Sequence, residues 1–256
     1  NAFGNCTNLT GLTVPDSVET IAEGAFAGCT ALRSLTLPIG LKYTSSMFEN
    51  CPVHTFAFTA GSSFGEGFDY DESSAAGTPW RASCTSRDIS VSFTGVKSIG
   101  DYMFAGCWSS SGSSFYGLSG SIFFPSGLTE IGTHAFDGCA KVTSVSLDGI
   151  SDIGAYAFRG CTGMTALTVG DSVIDVGTGA FSGCTGIRNL SMPISFNAAG
   201  SSDAPIFDGC TGIRSITFTG TSGFAYSDSG DGDYHRTPWY YSKANSISLT
   251  LAPTVT

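Results

Sequence analysis

The sequence predicts a solenoid, in which short parallel strands stack rung upon rung into one continuous sheet. A five-residue motif of the form apolar-Phe-x-x-Cys recurs eight times along the 256 residues. In the regular stretches its cysteine returns every 22 or 23 residues, as from Cys6 to Cys29 and from Cys139 to Cys161. An apolar-x-apolar pair recurs with the motif, as a strand with one buried face requires. A fixed period in the low twenties is typical of leucine-rich repeats.

Each copy of the motif is predicted to bury its ring and its thiol between rungs. The seven residues that end at Cys29 are too short for a regular helix and predict one helical or 3-10 turn, on the side opposite the strand. Thiols at equivalent positions point the same way, so we expect a column of small buried thiols rather than disulfides. The motif residues are Phe3, Cys6, Phe26, Cys29, Phe48, Cys51, Phe104, Cys107, Phe136, Cys139, Phe158, Cys161, Phe181, Cys184, Phe207 and Cys210.

The residue between the two apolar positions of each strand points to the solvent face of the sheet. This column consists of hydroxyl side chains except for Ala57 and one aromatic residue, Phe123. Two interpretations stay open, a plain solvated β-surface and a shallow binding face centred near Phe123. The column reads Thr13, Thr36, Ala57, Ser92, Phe123, Ser146, Thr168, Ser191, Thr217 and Thr250.

Three rungs are longer than the rest, at residues 52–93, 108–124 and 211–251. The first and third are copies of each other, and each carries a Thr-Pro-Trp tripeptide in place of the motif. We therefore expect Trp80 and Trp239 to fill the core volume that Phe and Cys fill elsewhere. Residues 1–256 form a single solenoid in this interpretation, because each unit contacts only its neighbours. Both ends fall within the repeat pattern, so we expect a fragment of a longer protein.

The long rungs carry the other candidate contact residues. Tyr70, Tyr116, Tyr226 and Tyr234 join Phe123 as candidates for ligand contact, because tyrosine is enriched in binding surfaces. The alternative is that these rings pack the long loops back onto the solenoid. A weak calcium-loop candidate is formed by Asp228, Asp231 and Asp233, but it lacks the acid order and distal Glu of an EF-hand. A solvated acidic loop is the alternative, and no metal or cofactor is predicted.

Composition excludes several function classes. The net charge of −10 argues against nucleic acid as a partner, which requires Lys/Arg patches. The chain lacks a run of 18 apolar residues, so no direct membrane insertion is predicted for this segment. Only 12% of residues are charged, and a surface wetted by Ser, Thr, Gly and Asn suits the extracellular side. The three histidines fall on distant rungs, so no catalytic residues are assigned and the chain is not predicted to be an enzyme.

The pattern L-x-x-L-x-L-P followed by V-x-x-I-x-x-x-A-F-x-x-C resembles the BspA-like leucine-rich repeats over nearly the whole chain. Departures are the polar Thr44, the Met or Ile variants of the motif and the two Thr-Pro-Trp rungs. The resemblance implies a surface or secreted protein of a host-associated microbe, with an adhesive role and no catalytic residues. The predicted function is a cell-surface or secreted module that binds a protein or glycan of a host or neighbouring cell. The alternative is a passive spacer or stalk within a larger surface protein.

Overall fold

The computed structural model describes residues 2–61, 66–83, 86–111, 114–193, 205–220 and 246–251. Within these ranges the chain is a leucine-rich-repeat solenoid, which confirms the predicted fold class. One strand from each rung lies on the same side of the molecule, and together these strands form the main sheet. Its ten described strands are Gly11–Thr13, Ser34–Pro38, Thr55–Thr59, Ser90–Thr94, Gly120–Ile122, Val142–Val145, Ala166–Thr168, Asn189–Pro193, Ser215–Thr219 and Ser248–Leu251.

All paired strands of the main sheet run parallel, because every rung has the same sense. The pairing falls into three groups of four, two and four strands. Isolated bridges link these groups, from Ile89 to Leu118 and from Ser146 to Thr168. The register keeps inward residues opposite inward residues, as where Leu35 pairs with Phe56.

A second, smaller parallel sheet was not part of the one-strand prediction. It pairs four two-residue strands in successive rungs, namely Ser98–Ile99, Glu130–Ile131, Asp152–Ile153 and Asp175–Val176. Each strand buries or half-buries its second, apolar residue and exposes or half-exposes its first. The solenoid core therefore lies between this sheet and the main one.

The motif segments are hydrogen-bonded turns in most rungs, and Ser45–Phe48 is the one described segment that forms a 3-10 helix. Left-handed residues explain why the turns do not extend into helices. Gly24, before Ala25-Phe26, has a φ of 66°, and Gly28, before Cys29, has a φ of 76°. Since a right-handed helix cannot continue through a left-handed residue, each turn redirects the chain toward the next strand.

The motif rings stack in register along the solenoid axis, as the repeat predicts. Phe136 and Phe158 lie 5.2 Å apart with an interplanar angle of 3°. Phe158 and Phe181 lie 5.4 Å apart with parallel planes, and Phe181 continues to Phe207 at 5.4 Å. Such pairs contribute about 0.5–1.5 kcal/mol each beyond the area that they bury. Phe3 is a correction to this pattern, because it is 55% exposed and its ring stacks on Phe26 alone.

The eight described cysteines are not joined in disulfides, and six of them are buried. The sequence did not predict that the thiols donate hydrogen bonds to the backbone of the preceding rung. Cys161 donates to the carbonyl oxygen of Phe136 at 3.3 Å, and Cys184 donates to that of Phe158 at 3.1 Å. Cys6 is exposed and Cys51 is half-buried, so the expectation of burial is wrong for Cys6 and only partly met by Cys51.

The first long rung contains two short α-helices, Glu72–Ala76 and Pro79–Ser83. Asp71 begins the first helix with a capping box, because its carboxylate accepts a hydrogen bond from the Ser74 backbone nitrogen at 2.7 Å. Pro79 begins the second, where its fixed φ suits the first turn. Trp80 is fully buried in the core, as predicted. Its counterpart Trp239 lies outside the described residues.

The second long rung contains an antiparallel pair of strands, Trp108–Ser111 and Ser114–Gly117, which leaves the parallel pattern of the rungs. The strand Ser248–Leu251 differs from the prediction in another way. Leu249 and Leu251 are 60% and 55% exposed, although their positions are buried in most other rungs. This strand pairs with Ser215–Thr219, the one strand described beside it. In the described parts of the chain, no helix has the length and apolar character that a membrane crossing requires.

Candidate binding surfaces

The outer face of the main sheet presents the predicted column of hydroxyl side chains. Thr13, Ser92 and Thr168 are exposed, while Thr36 and Ser146 are half-buried. Parallel pairing spaces these positions by about 4.8 Å from strand to strand. The result is a regular polar surface that offers both hydrogen-bond donors and acceptors.

Phe123 interrupts this polar surface, with 75% of its side chain exposed. It directly follows Ile122, a buried core residue, so alternation along the extended chain directs the Phe123 ring outward. Nearby, the Ser121 and Ser144 hydroxyls share a 2.7 Å hydrogen bond. When a partner covers this exposed phenyl ring, the binding free energy becomes more favourable, because apolar surface is removed from water.

Tyr70, the candidate from the first long rung, is not available to a ligand. Its side chain is only 4% exposed, and its hydroxyl accepts a hydrogen bond from the Tyr43 backbone nitrogen at 3.0 Å. Its ring contacts Trp80 edge to face at 6.0 Å. Burial raises the pKa of both phenols, Tyr43 and Tyr70. For Tyr70 the loop-packing alternative is therefore correct, because the ring completes the core around Trp80.

The remaining predicted contact residues have varied outcomes. Tyr116 is half-buried in the antiparallel strand Ser114–Gly117, where it pairs with Ser109. The other five predicted residues lie outside the described residues, namely Tyr226, Asp228, Asp231, Asp233 and Tyr234. Within the described ranges, no group of three or more His, Cys, Asp or Glu side chains is placed to hold a metal ion.

A stack of three rings on the turn edge of the solenoid was missed by the sequence interpretation. Tyr102, His134 and Tyr156 each stand immediately before a motif, in three successive rungs. The Tyr102 and His134 rings lie 4.6 Å apart at 18°, and the His134 and Tyr156 rings lie 5.0 Å apart at 25°. We call these three residues the ring ladder. All three are half-buried.

Two charged residues complete the surroundings of the ring ladder. Asp137 accepts a 2.9 Å hydrogen bond from Arg159 Nε, and its carboxylate lies 2.7 Å from His134 Nδ1. The Arg159 guanidinium carbon lies 5.1 Å from the Tyr156 ring centroid, a cation–π distance. The hydrogen bond to Asp137 raises the pKa of Arg159, which stays charged. No described hydrogen bond joins the His134 ring to a Ser, Thr or Cys side chain that it could activate.

The ring ladder is built on a strained backbone. Tyr102, His134 and Tyr156 have φ values of 54°, 55° and 56°, in the left-handed region. The equivalent position is glycine in two other rungs, where Gly24 and Gly179 have φ values of 66° and 61°. A residue with a Cβ atom costs about 1–2 kcal/mol in this conformation. A periodic comparison of the residue before each motif could have shown three rings at one repeat position.

A separate cleft of about 380 Å³ opens between the 3-10 helix Ser45–Phe48 and the helix Pro79–Ser83. Its lining is mixed, with Glu49, Arg87 and several serines beside apolar residues that include Val53.

The chain belongs to the family described as the BspA type leucine rich repeat region. The family model matches six copies, over residues 1–68 and 111–228. None of the curated proteins compared with the chain matches it.

Several solved structures resemble the chain at low sequence identity. The pneumococcal vaccine antigen PcpA shares 18% identity with a TM-score of 0.48, over 84% of this chain and 57% of that protein. A leucine-rich repeat protein from Bacteroides ovatus shares 18% identity with a TM-score of 0.37, over 98% of this chain and 80% of that one. A leucine rich cell surface protein from Faecalibacterium prausnitzii shares 18% identity with a TM-score of 0.29, over 96% and 80%. The chain therefore spans little more than half of the length of the pneumococcal antigen.

Proposed function

We propose that the chain is a binding module of a secreted or cell-surface protein, and that it recognises a host or neighbouring-cell macromolecule. The contact surface is the outer face of the main sheet around Phe123. Membership of the BspA type repeat family supports this proposal, since repeats of this kind form extended surfaces for interaction. The single observation that carries it is the 75% exposure of the Phe123 ring.

The surface has the properties of a contact site for a large, polar partner. Covering a phenyl ring is worth about 1.5–3 kcal/mol, while the hydroxyls around it supply hydrogen bonds along the sheet. The sheet exposes this ring in a single rung, so binding is expected to centre there rather than spread evenly along the solenoid. A protein or a glycan chain can use such a surface, and the test separates them.

The test uses a glycan array together with an array of purified extracellular-matrix and cell-surface proteins. Phe123→Ser introduces the hydroxyl that other rungs carry at this position, so the fold is expected to be retained. Ile174→Ser is the matched control, because Ile174 is 84% exposed and lies outside the main sheet. We expect saturable binding that falls at least tenfold with Phe123→Ser and is unchanged with Ile174→Ser.

Two outcomes would contradict the proposal. Equal binding by both variants would place the contact elsewhere on the solenoid. An absence of saturable binding by the unmodified chain would favour the passive spacer or stalk.

A further inference from the structure

The ring ladder at the turn edge has features that the fold alone does not require. Gly24 and Gly179 show that the position before the motif is satisfied by glycine, without strain. Three successive rungs instead hold Tyr102, His134 and Tyr156 in the left-handed region. Residues kept in unfavourable backbone conformations cluster at sites where they act on a partner. We propose that the ring ladder, with Asp137 and Arg159, is a second binding site, whose occupant is a basic segment of another protein.

The geometry of the rings favours a protein over a glycan. A sugar ring packs on the open face of an aromatic side chain, but within the ladder the faces cover one another. His134 lies between Tyr102 and Tyr156, at 4.6 and 5.0 Å from their centroids. On the far side, the Tyr156 ring lies against the Gly179 backbone, so closely that a Cβ atom at position 179 would meet it at 2.5 Å. The ladder offers a partner its ring edges and polar tips, which suit side chains and backbone groups.

The ladder is also ordered before any partner arrives. The Asp137 carboxylate is hydrogen-bonded to both His134 and Arg159, and the Arg159 guanidinium lies over the Tyr156 ring. Tyr102 stacks on His134, so the five side chains form one connected network. The side chain of Asp137 is 14% exposed, whereas that of Arg159 is 49% exposed. Tyrosine and arginine are the residues most often found at the energetic centre of protein interfaces. Rigid rings add contact area at a small entropic cost on binding.

Two acidic residues of the second sheet, in the rungs of the ladder, favour a basic partner. The chain carries a net charge of −10. Beside the ladder, Glu130 and Asp152 pair directly across adjacent strands of the second sheet, and both are exposed. Like charges placed opposite each other are unfavourable, and a cationic side chain between them relieves this repulsion. Lys or Arg side chains of a partner that lies on the ladder are therefore attracted to the neighbouring rung positions.

This site is separate from the Phe123 surface, so the two proposals can fail independently. The probe is a 20-residue Lys-rich amphipathic peptide, compared with the same peptide in which every Lys is replaced by Glu. The variant combines Tyr102→Gly, His134→Gly and Tyr156→Gly. It leaves the formal net charge unchanged, in which histidine counts as neutral, so attraction by overall charge alone predicts no effect. Glycine already occupies this position in two rungs, so we expect the thermal midpoint to stay within about 4 °C of the unmodified protein.

We expect the basic peptide to bind the unmodified chain, the acidic peptide not to bind, and the triple variant to raise the Kd of the basic peptide at least tenfold. Should the triple variant not fold, Tyr156→Gly alone is expected to raise the Kd at least threefold. Phe123→Ser should leave this Kd unchanged, which separates the ladder from the sheet surface. Equal Kd values for the glycine variants and the unmodified chain, or a lack of preference for the basic peptide, would overturn the proposal.

Discussion

The regular rungs at residues 128–193 and the first long rung, residues 52–93, fill the same core in different ways. In the regular rungs, parallel phenylalanine rings stack at 5.2–5.4 Å, and a thiol donates to the carbonyl of the preceding rung. In the long rung, Trp80 meets Phe58 and Tyr70 edge to face, with interplanar angles of 82° and 90°. Its indole nitrogen donates to the Met103 carbonyl oxygen at 2.5 Å, in the following rung.

The difference shows what a rung of this solenoid must supply. Each rung provides an apolar volume at the axis and a donor for a neighbouring rung's carbonyl. Phe and Cys divide these two tasks, whereas Trp80 performs both with one side chain. Where Trp replaces the motif, further rings pack around it. Tyr43, Phe56 and Tyr70 all contact the indole ring of Trp80. The motif is therefore a physical requirement that more than one sequence can meet.

The largest effects are expected from truncating the axial rings themselves. Phe136→Ala should lower the free energy of unfolding by about 3–5 kcal/mol, because the Phe136 ring is fully buried and its removal leaves a cavity that collapses only in part. Trp80→Ala should reach or exceed the upper end of this range, because it also leaves the Met103 carbonyl without its donor. Denaturant titration measures both values. A loss below about 1 kcal/mol at Trp80 would show that the long rung does not share the continuous core.

A smaller effect is expected at the thiols of the regular rungs. Cys161→Ala should cost about 1–2 kcal/mol, since it removes the hydrogen bond to Phe136 and leaves a small void. The exposed Cys6 is the control, and Cys6→Ala should change stability by less than about 0.5 kcal/mol. The same titration measures both variants. Equal losses of unfolding free energy would show that the Cys161 thiol does not stabilise the contact between rungs.

The long rung should also be distinguished by its sensitivity to alkali. Burial raises the pKa of Tyr43 and of Tyr70 above the ordinary phenol value of 10.0, so the folded state favours the neutral phenols. Their contribution to stability is complete below pH 10 and is lost as the pH rises above it. Unfolding by guanidinium chloride at pH 9 and pH 11 should show this loss. A double variant, Tyr43→Phe and Tyr70→Phe, should lose less between the two pH values than the unmodified chain.

The smallest effect is expected at the exposed cap of the long rung. Hydrogen bonds from the Ser74 backbone and from the Ser73 and Ser74 side chains lower the pKa of Asp71 to about 2, from 3.8. The cap therefore stabilises the fold above pH 3.8, and this contribution is lost as the pH falls through about 2. The difference in thermal midpoint between the unmodified chain and Asp71→Ala should narrow from pH 5 to pH 2. A constant difference would mean that the charge of Asp71 does not matter to the cap.

The stacking axis could be predicted from the sequence because Phe and Cys recur in phase. A ring such as Phe158 has nowhere else to lie once its neighbours stack. The substitution of Trp80 for the motif was predictable for the same reason, since the tripeptide stands in its place. Phe123 could be predicted to face solvent from alternation along its strand.

Other features depend on geometry that residue types do not encode. The hydrogen bond from the Cys161 thiol requires the Phe136 carbonyl group of the preceding rung to point toward it, and only the stacked backbone shows this orientation. The sequence left open whether Tyr70 contacts a ligand or packs its long loop onto the solenoid, and only the structure shows that it is buried against Trp80. The ring ladder was missed because residue types as different as Tyr, His and Gly share the position before the motif, and the left-handed φ values confirm that these positions are equivalent.

The placement of the thiols also has a consequence for redox chemistry. Oxidation and alkylation act on the thiolate. The adjacent Cys184 thiol, together with burial, raises the pKa of Cys210, and burial raises that of Cys51. The Cys210 and Cys51 thiols also donate hydrogen bonds to carbonyl oxygens of neighbouring rungs. The buried part of the column is therefore expected to resist oxidation for as long as the rungs stay stacked.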